Sequence, residues 1–386
     1  MTVEVRPLGD KCNIKCRYCY QEGIRTAGNV PTRYDLDAIM ATLDRLAEPF
    51  SLFGGEIMLT RRPDLERLMQ LGFDRHGGVG MQTNGTLIEE RDIELFRKYH
   101  VRVGISIDGP GPLNDARWAG SLAATRRATA RIEAAIETLC REGMPPNVIV
   151  TLNRMNAAPA RLGVLCEWIG FLGSLGVRKL RLHLLEQDET EGGEGLALTA
   201  QENLAALRRL RRLEQELLSV QFDIFAEMAA MLRGDDAQTS CVFHACDPYA
   251  TRAVVGVESD GRLGNCGRTN KDGVTHLRAG REAFERQLSL YRTPQADGGC
   301  EGCRFFLACK GNCPGTAIDG DWRMRSIDCP VWFGLFEDIE TELQANDEVA
   351  ISRLERRSDL EAKMIAAWSI GDNPTLHSLL QQADAP

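Results

Sequence analysis

The sequence CNIKCRYCY occupies positions 12–20 and directly follows a predicted strand at Val3–Leu8. It places three cysteines, Cys12, Cys16 and Cys19, in the spacing CxxxCxxC. Three thiolates on one tight loop can hold three corners of an iron–sulfur cube, and one iron then keeps an open coordination position. Catalytic metal sites have such an open position, whereas structural zinc sites are closed and usually built from paired CxxC units. The loop therefore predicts a catalytic iron–sulfur site.

Short β-rich runs alternate with helical patterns over the first two thirds of the chain. The predicted strands are Val3–Leu8, Ser51–Phe53, Gly80–Thr83, Val101–Ile107, Asn147–Leu152 and Lys179–Leu185. The predicted helices are Asp35–Leu46, Pro63–Leu71, Glu89–Tyr99, Leu122–Glu142, Ala160–Leu172 and a long one at Thr199–Leu232. Strands that alternate with helices indicate βαβ units on a parallel sheet. The pattern alone does not separate a doubly wound sheet from a partial barrel.

Four polar motifs stand at the ends of predicted strands two to five. They are Phe53-Gly54-Gly55-Glu56, Gln82-Thr83-Asn84-Gly85, Ser106-Ile107-Asp108-Gly109-Pro110 and Asn153. Ligand sites of parallel α/β folds lie at this edge of the sheet. With the cysteine loop and its aromatic Tyr18, these motifs make the chain resemble the radical S-adenosylmethionine (SAM) enzymes, whose signature is CxxxCxΦC, where Φ is aromatic.

The resemblance implies a SAM site in which the amino and carboxylate groups of SAM chelate the open iron. Gly54 and Gly55 would let the backbone approach the methionyl part, and Glu56 would bind its ammonium group. Either Arg127 or Arg131 would meet the carboxylate. The implied cofactor-binding residues are Tyr18, Gly54, Gly55, Glu56, Asn84, Ser106, Asp108, Arg131 and Asn153.

Eight further cysteines lie between positions 241 and 329, where glycine, proline and aspartate replace the long helical patterns. They suffice for two closed four-ligand clusters, with zinc sites as the alternative. The segment resembles the SPASM domain of radical SAM proteins. One cluster would then be held by Cys241, Cys246, Cys266 and Cys313, and the other by Cys300, Cys303, Cys309 and Cys329. Cys140 and Cys166, in helical patterns, are predicted to be inert, buried side chains.

These observations predict an α/β fold: a partial (β/α)6 barrel at 1–235, a cysteine-rich SPASM module at 236–335 and a helical tail at 336–386. The resemblance implies SAM and three [4Fe-4S] clusters as cofactors, and a flavodoxin- or ferredoxin-type electron donor. A 5′-deoxyadenosyl radical would abstract hydrogen to cross-link, oxidise or epimerise a peptide or protein side chain. The alternatives are a dehydrogenase or isomerase of a small molecule, and a non-catalytic electron carrier.

One departure concerns the catalytic base. The sulfatase-maturating members of the family, which the N-terminal half most resembles, carry an aspartate just after the third cysteine of the nearer cluster. Gly267 follows Cys266 here, and a glycine cannot accept a proton. The candidate bases that remain are His183, Glu186 and Asp247.

The composition narrows the function further. The chain has 386 residues and a net charge of −9, so it lacks the basic footprint of a nucleic-acid-binding protein. No apolar run is long enough for a membrane span, and the N-terminus does not read as a signal peptide. We therefore expect a cytoplasmic protein. With 11 residues before Cys12, we expect any leader peptide to be held by the barrel, the C-terminal helices or a separate protein.

Overall fold

The computed structural model describes residues 2–28, 30–186, 195–239, 241–269 and 279–384. The chain divides into two compact units, each discontinuous in sequence. The barrel unit comprises Val3–Asp223 and Gly256–Val274. The cysteine-rich unit comprises Ile224–Val255 and Thr275–Pro386 together with Met1–Thr2. The sequence-predicted boundary at residue 235 therefore falls inside the cysteine-rich unit.

The central sheet has nine strands in the order β7-β6-β5-β4-β3-β2-β1-β8-β9. The strands are β1 Thr2–Val5, β2 Phe50–Leu52, β3 Val79–Thr83, β4 Val101–Ser106, β5 Asn147–Leu152, β6 Lys179–Leu184, β7 Gln221–Phe222, β8 Val254–Val257 and β9 Leu263–Gly264. Neighbours from β1 to β7 pair in parallel, and β8 pairs with β9 antiparallel. Because the order follows the chain, each crossover adds its strand on the same side. A doubly wound sheet instead reverses its order, so the partial barrel is confirmed.

The described part of the barrel unit contains seven helices. They are α1 Glu22–Thr26, α2 Leu36–Leu46, α3 Arg62–His76, α4 Glu90–Lys98, α5 Leu122–Arg141, α6 Pro159–Leu175 and α7 Ala200–Leu217. Local signals set their ends. The Asp35 side chain accepts from the backbone N–H of Ala38 at 3.0 Å and caps α2. Pro159 opens α6, and Gly176, with φ +106°, ends it.

The long helix predicted over Thr199–Leu232 is wrong. Helix α7 ends at Leu217, Leu218 adopts a left-handed conformation with φ +51°, and strand β7 follows. Val220 and Phe222, spaced by two, are 3% and 0% exposed, and Phe222 pairs with Leu180 of β6. Burial of this pair beside the sheet outweighs the helical preference of the flanking residues.

Where the structure describes it, the cysteine-rich unit contains six helices and its own aromatic core. The helices are α8 Asp223–Arg233, α9 Glu285–Arg292, α10 Phe306–Cys309, α11 Cys329–Ala345, α12 Arg357–Ser369 and α13 Leu376–Asp384. Phe284 stacks on Trp368 of α12, and Phe305 stacks on Phe336 of α11. The predicted tail therefore packs within this unit. Among the described residues, no helix combines the length and apolarity that crossing a bilayer requires.

Candidate functional site

The three cysteines of the first cluster lie on one loop beyond the C-terminal end of β1. Two backbone hydrogen bonds hold this loop to a second segment of the barrel unit. The N–H of Lys15 donates to the carbonyl of Trp118 at 2.7 Å, and that of Arg17 donates to the carbonyl of Ala116 at 2.8 Å. The Arg17 guanidinium also lies over the Trp118 ring, 4.5 Å from its centre. The cysteine loop is thus anchored on both sides of Arg117.

The thiols of the loop influence one another electrostatically. Burial raises the pKa of Cys16 to about 12, and the neighbouring thiols of Cys19 and Cys12 add to the rise while Arg117 opposes it. Burial also raises the pKa of Cys12. Such thiols need a strong positive charge beside them to ionise, which is what a bound iron–sulfur cluster provides. The loop therefore fits an iron–sulfur cluster.

Gly54 and Gly55 allow the end of β2 to approach the chain that leads into the cysteine loop. The N–H of Gly55 donates to the carbonyl of Gly9 at 2.9 Å. A Cβ atom on Gly55 would lie 2.3 Å from the carbonyl oxygen of Asp10, and one on Gly54, whose φ is +131°, would lie 2.7 Å from that of Gly9. The structure thus gives both glycines a role in protein packing.

Glu56 lies at the edge of the sheet where the parallel strands end, and it is 2% exposed. Its carboxylate accepts from the hydroxyl of Thr83 at 2.7 Å and from the backbone N–H groups of Asn84 at 2.7 Å and Met58 at 2.9 Å. Burial raises the pKa of Glu56, and these hydrogen bonds oppose the rise. They hold a carboxylate beside Asn84, whose amide donates to the Asn13 side chain at 2.8 Å and to the Cys12 sulfur at 3.7 Å.

Asp108 is fully buried, and protein groups surround its carboxylate. It accepts from the Tyr18 hydroxyl and from the backbone N–H of Thr151 at 3.1 Å, and the Asn153 amide approaches to 3.5 Å. The Arg117 guanidinium donates to the Tyr18 hydroxyl at 2.9 Å and forms an ion pair with Asp108 at 3.5 Å. Asp108 and Tyr18, both predicted to bind SAM, therefore belong to one network that positions the cysteine loop.

The remaining predicted SAM-binding residues are spread over the same edge. The Ser106 hydroxyl accepts from the Gln82 side chain at 2.8 Å. The side-chain oxygen of Asn153 accepts from the backbone N–H of Met155 at 2.8 Å and so helps to form the turn after β5. Arg127 and Arg131 are both exposed on α5.

Sequence reasoning missed Arg117, which is 9% exposed. The sequence predicts a basic partner for the SAM carboxylate on the helix after Asp108. Arg117 instead lies nine positions after Asp108, before that helix begins. The pattern alone carried no signal that distinguishes Arg117 from the many surface arginines.

Two of the three candidate bases meet at Arg268. Its guanidinium forms an ion pair with Glu186 at 2.9 Å and donates to Nδ1 of His183. It also lies 5.7 Å from the centre of the Tyr20 ring. Burial lowers the pKa of His183 well below its usual value, and Arg268 and Arg181 lower it further. His183 is therefore a neutral imidazole whose Nδ1 lone pair is already used.

The third candidate base, Asp247, lies in the cysteine-rich unit. It is 3% exposed and accepts from the backbone N–H groups of Tyr249 at 2.9 Å and Ala250 at 3.1 Å. These bonds cap the turn that follows Cys246. Burial raises the pKa of Asp247, and the backbone bonds oppose this.

Four cysteines of the cysteine-rich unit line one cavity. They are Cys300, Cys303, Cys309 and Cys329. Aromatic side chains that include Phe305, Trp332 and Phe336 form much of the remaining wall. Burial raises the pKa of Cys300 to about 12 and that of Cys309 well above its usual value, and the neighbouring thiols add to both rises. An apolar cavity lined by four thiols fits an iron–sulfur cluster.

The other predicted ligand set divides between the two units. Cys241, Cys246 and Cys313 lie in the cysteine-rich unit, whereas Cys266 lies in the barrel unit. Across the part of the chain that the structure describes, no three His, Cys, Asp or Glu side chains converge on a point where they could share one metal ion.

The two cysteines outside the clusters differ in exposure. Cys166 is buried at 6% exposure, as predicted, whereas Cys140 is half-buried. Burial raises the pKa of both thiols. None of the 13 cysteines, all of which lie in the described ranges, forms a disulfide.

Known proteins resemble this chain in the region that contains the first cysteine loop. Residues 7–158 match the family model of the radical SAM superfamily, and this range contains the first cysteine loop and all the predicted SAM-binding residues. A serine-type anaerobic sulfatase-maturating enzyme of Klebsiella pneumoniae is 26% identical over 380 residues, which cover 88% of this chain and 87% of that protein.

Two solved structures share the fold. Native anSMEcpe with bound AdoMet and Cp18Cys peptide superimposes with a TM-score of 0.67 and 18% identity, covering 89% of this chain and 98% of that one. Streptococcus suis SuiB bound to precursor peptide SuiA gives a TM-score of 0.55 and 12% identity, covering 86% and 75%. The predicted α/β fold and the radical SAM resemblance are confirmed.

Proposed function

We propose that the chain, whose residues 7–158 match the radical SAM superfamily model, is an oxidoreductase that modifies a peptide or protein side chain by hydrogen abstraction. The observation that carries the proposal is the loop of Cys12, Cys16 and Cys19, anchored beside Glu56 and Asp108 at the ligand-binding edge of the sheet. A peptide or protein substrate is supported by the named relative, which matures sulfatases, and by the peptides bound in both structural neighbours.

Different residues of the barrel unit would bind different parts of SAM. Cys12, Cys16 and Cys19 would hold a [4Fe-4S] cluster with one open position. Glu56, held rigidly by three hydrogen bonds, would accept from the SAM ammonium group. Arg127 or Arg131 would approach the carboxylate. Loaded with SAM and reduced, this site supplies a 5′-deoxyadenosyl radical that abstracts a hydrogen atom from the substrate.

We assign the catalytic base to Glu186. After loss of one hydrogen atom from the substrate, Glu186 would accept one proton. Clusters held by the cysteines of the cysteine-rich unit would supply the acceptor for the remaining electron, so that a two-electron oxidation balances. The Nδ1 lone pair of His183 is engaged by Arg268, and the Asp247 carboxylate caps a turn. His183 would instead help to orient Arg268 beside Glu186.

The eight cysteines from Cys241 to Cys329 would hold two auxiliary [4Fe-4S] clusters. The cavity shared by Cys300, Cys303, Cys309 and Cys329 supports one set. The set of Cys241, Cys246, Cys266 and Cys313 rests on the resemblance. An external flavodoxin- or ferredoxin-type protein would supply the electron for SAM cleavage. Cysteines that serve as metal ligands and not as disulfide partners are typical of a reducing compartment, which supports the cytoplasm.

Anaerobic reconstitution and co-expression test the proposal. The loaded protein should contain about twelve irons, three cubes of four, and should cleave SAM to 5′-deoxyadenosine. Peptides encoded beside the gene, co-expressed with it, should lose two hydrogen atoms by mass if they are cross-linked or desaturated, or take up deuterium from solvent at unchanged mass if they are epimerised.

The matched control is Cys140→Ala, which should keep both the iron and SAM cleavage that Cys16→Ala loses. Zinc in place of iron, with no SAM cleavage, would refute the proposal. Cleavage that is coupled to a small metabolite and not to any peptide would instead support the small-molecule alternative.

A further inference from the structure

Arg286 is a cation in the interior of the cysteine-rich unit. It lies on α9 and is 1% exposed, which makes it one of the largest fully buried side chains of the protein. A buried guanidinium is normally paired with a carboxylate, because an uncompensated charge in the interior is costly. Its partners therefore show what neutralises it.

Among the described residues, every hydrogen bond of the Arg286 side chain goes to a backbone carbonyl. The acceptors are the carbonyls of Trp322 at 2.6 Å, Asn312 at 3.0 Å, Met324 at 3.0 Å, Cys246 at 3.3 Å, Gly311 at 3.3 Å and Lys310 at 3.5 Å. Within the described residues, the Arg286 guanidinium forms no ion pair with an acidic side chain. The carboxylate of Asp247 interacts instead with the backbone N–H of Arg286.

The acceptors lie beside cluster cysteines of both sets. Lys310, Gly311 and Asn312 are the whole segment between Cys309 and Cys313. The carbonyl of Cys246 belongs to a predicted ligand itself. Gly311 has a φ of +78°, which favours glycine, and a Cβ atom there would lie 2.4 Å from the Leu290 side chain of α9, so a glycine suits this close approach. One guanidinium thus ties a ligand of each set to α9.

The ionisable groups that act most strongly on Arg286 are also cysteines. They are the thiols of Cys246, Cys313 and Cys300, ahead of the Asp247 carboxylate. Cys246 and Cys313 belong to one predicted ligand set and Cys300 belongs to the other. Burial lowers the pKa of Arg286, and these groups oppose that shift. Thiols bound to iron are thiolates, so a loaded protein would surround Arg286 with anions.

We propose that Arg286 is the shared counter-charge of the two auxiliary clusters and that its positive charge raises their reduction potentials. This inference rests on the proposed function, since it needs iron–sulfur clusters in the cysteine-rich unit. Net charge and hydrogen bonding near a cluster set its potential. A fixed cation stabilises the added electron, which suits clusters that must accept the electron left on a substrate radical.

Two substitutions separate charge from geometry. Arg286→Gln removes the charge, whereas Arg286→Lys keeps it without the guanidinium fork. Arg292→Gln is the matched control, because Arg292 is an exposed arginine on the same helix. All three are made in a Cys16→Ala background, so that only the auxiliary clusters contribute to the spectra.

The measurement is a potentiometric titration followed by electron paramagnetic resonance, with iron counted in each sample. Arg286→Gln should lower the equilibrium constant for reduction at least tenfold, which is a potential about 59 mV more negative for one electron. Arg286→Lys and Arg292→Gln should stay within threefold of the parent. Unchanged potentials in Arg286→Gln with its iron intact, or equal shifts in Arg286→Gln and Arg286→Lys, would overturn the proposal.

If Arg286→Gln does not bind its auxiliary clusters, the iron content of the variants still tests the proposal. Retention of about eight irons by Arg286→Lys, with loss in Arg286→Gln, supports the charge role. Loss of iron in both variants overturns it, because the carbonyl-binding geometry would then be what matters. A parent protein without auxiliary iron would refute the proposed function itself, before Arg286 is tested.

Discussion

The guanidinium of Arg117 donates a hydrogen bond to the hydroxyl of Tyr18 at 2.9 Å. Tyr18 stands between Cys16 and Cys19 and donates in turn to Asp108 at the end of β4. The contact therefore ties the predicted cluster loop to the sheet. It also brings a positive charge near the Cys16 thiol, where it opposes the rise of that pKa.

We expect Arg117→Met to destabilise the protein by about 3 kcal/mol, because it leaves the Asp108 carboxylate buried without its cation. The first cluster should also load poorly. Denaturant unfolding and iron content, each compared with Arg127→Met, provide the check. Arg127 is exposed on α5, so its variant should unfold like the parent. Equal stability of the two variants would show that Arg117 does not hold the loop.

Gly55→Ala should disrupt the cysteine loop. Its new methyl group would lie 2.3 Å from the Asp10 carbonyl and 2.4 Å from that of Lys11, and both are backbone atoms with little freedom to move. We expect loss of the first cluster, measured as about four fewer irons. Gly163→Ala is the control, since its Cβ has open space on α6 and should stabilise the helix by about 0.5–1 kcal/mol. Full iron in Gly55→Ala would contradict this packing role.

The neutral state of His183 makes stability depend on pH. Burial, with Arg268 and Arg181, lowers its folded pKa well below the unfolded value of about 6.5. The unfolded chain therefore takes up a proton that the folded protein does not. The contribution of neutral His183 to the free energy of unfolding is complete above about pH 6.5. It is lost as the pH falls, at up to about 1.4 kcal/mol per pH unit.

Urea unfolding between pH 5 and 8 measures this dependence of the parent protein and of His183→Gln. The substitution should flatten the profile below about pH 6.5. The exposed His377, changed to Gln, should leave the profile as it is in the parent. If His183→Gln kept the parent slope, another group would be responsible for it.

Glu186→Gln should separate radical formation from product formation. An amide cannot accept the proton, so turnover should fall roughly 100-fold or more, while 5′-deoxyadenosine still forms. Asp247→Asn is the informative comparison, because its carboxylate caps a turn. Liquid chromatography with mass spectrometry measures the ratio of modified substrate to 5′-deoxyadenosine. If Glu186→Gln formed product at the full rate and Asp247→Asn did not, Asp247 would be the catalytic base.

Cys329→Ala should remove the cluster whose ligands share the cavity with Phe305 and Phe336. We expect the iron content to fall from about twelve to about eight, because one of four ligands is lost. Cys140→Ala removes a half-buried thiol outside both sets and should keep about twelve irons. Equal iron in the two variants would place Cys329 outside the cluster.

The positions of six strands along the chain and the position of the cluster loop could be predicted from the sequence alone. Alternating β and helical patterns are local signals, and they located six strands within a few residues of their observed ends. The short β7 was missed because two residues, Gln221 and Phe222, carry too little pattern to compete with long helical flanks. Its formation depends on burial against β6, which is a tertiary contact.

The residue types that could bind metal and SAM were recognisable without the fold, because spacing along one loop is a property of the chain. Which charges meet depends on how the chain folds. Arg117 reaches Asp108, Arg268 reaches Glu186 and His183, and Arg286 meets carbonyls beside cysteines of two sets. Arg268 and Arg286 meet residues far from them in sequence, and a buried charge is stable only where the folded chain supplies its partner.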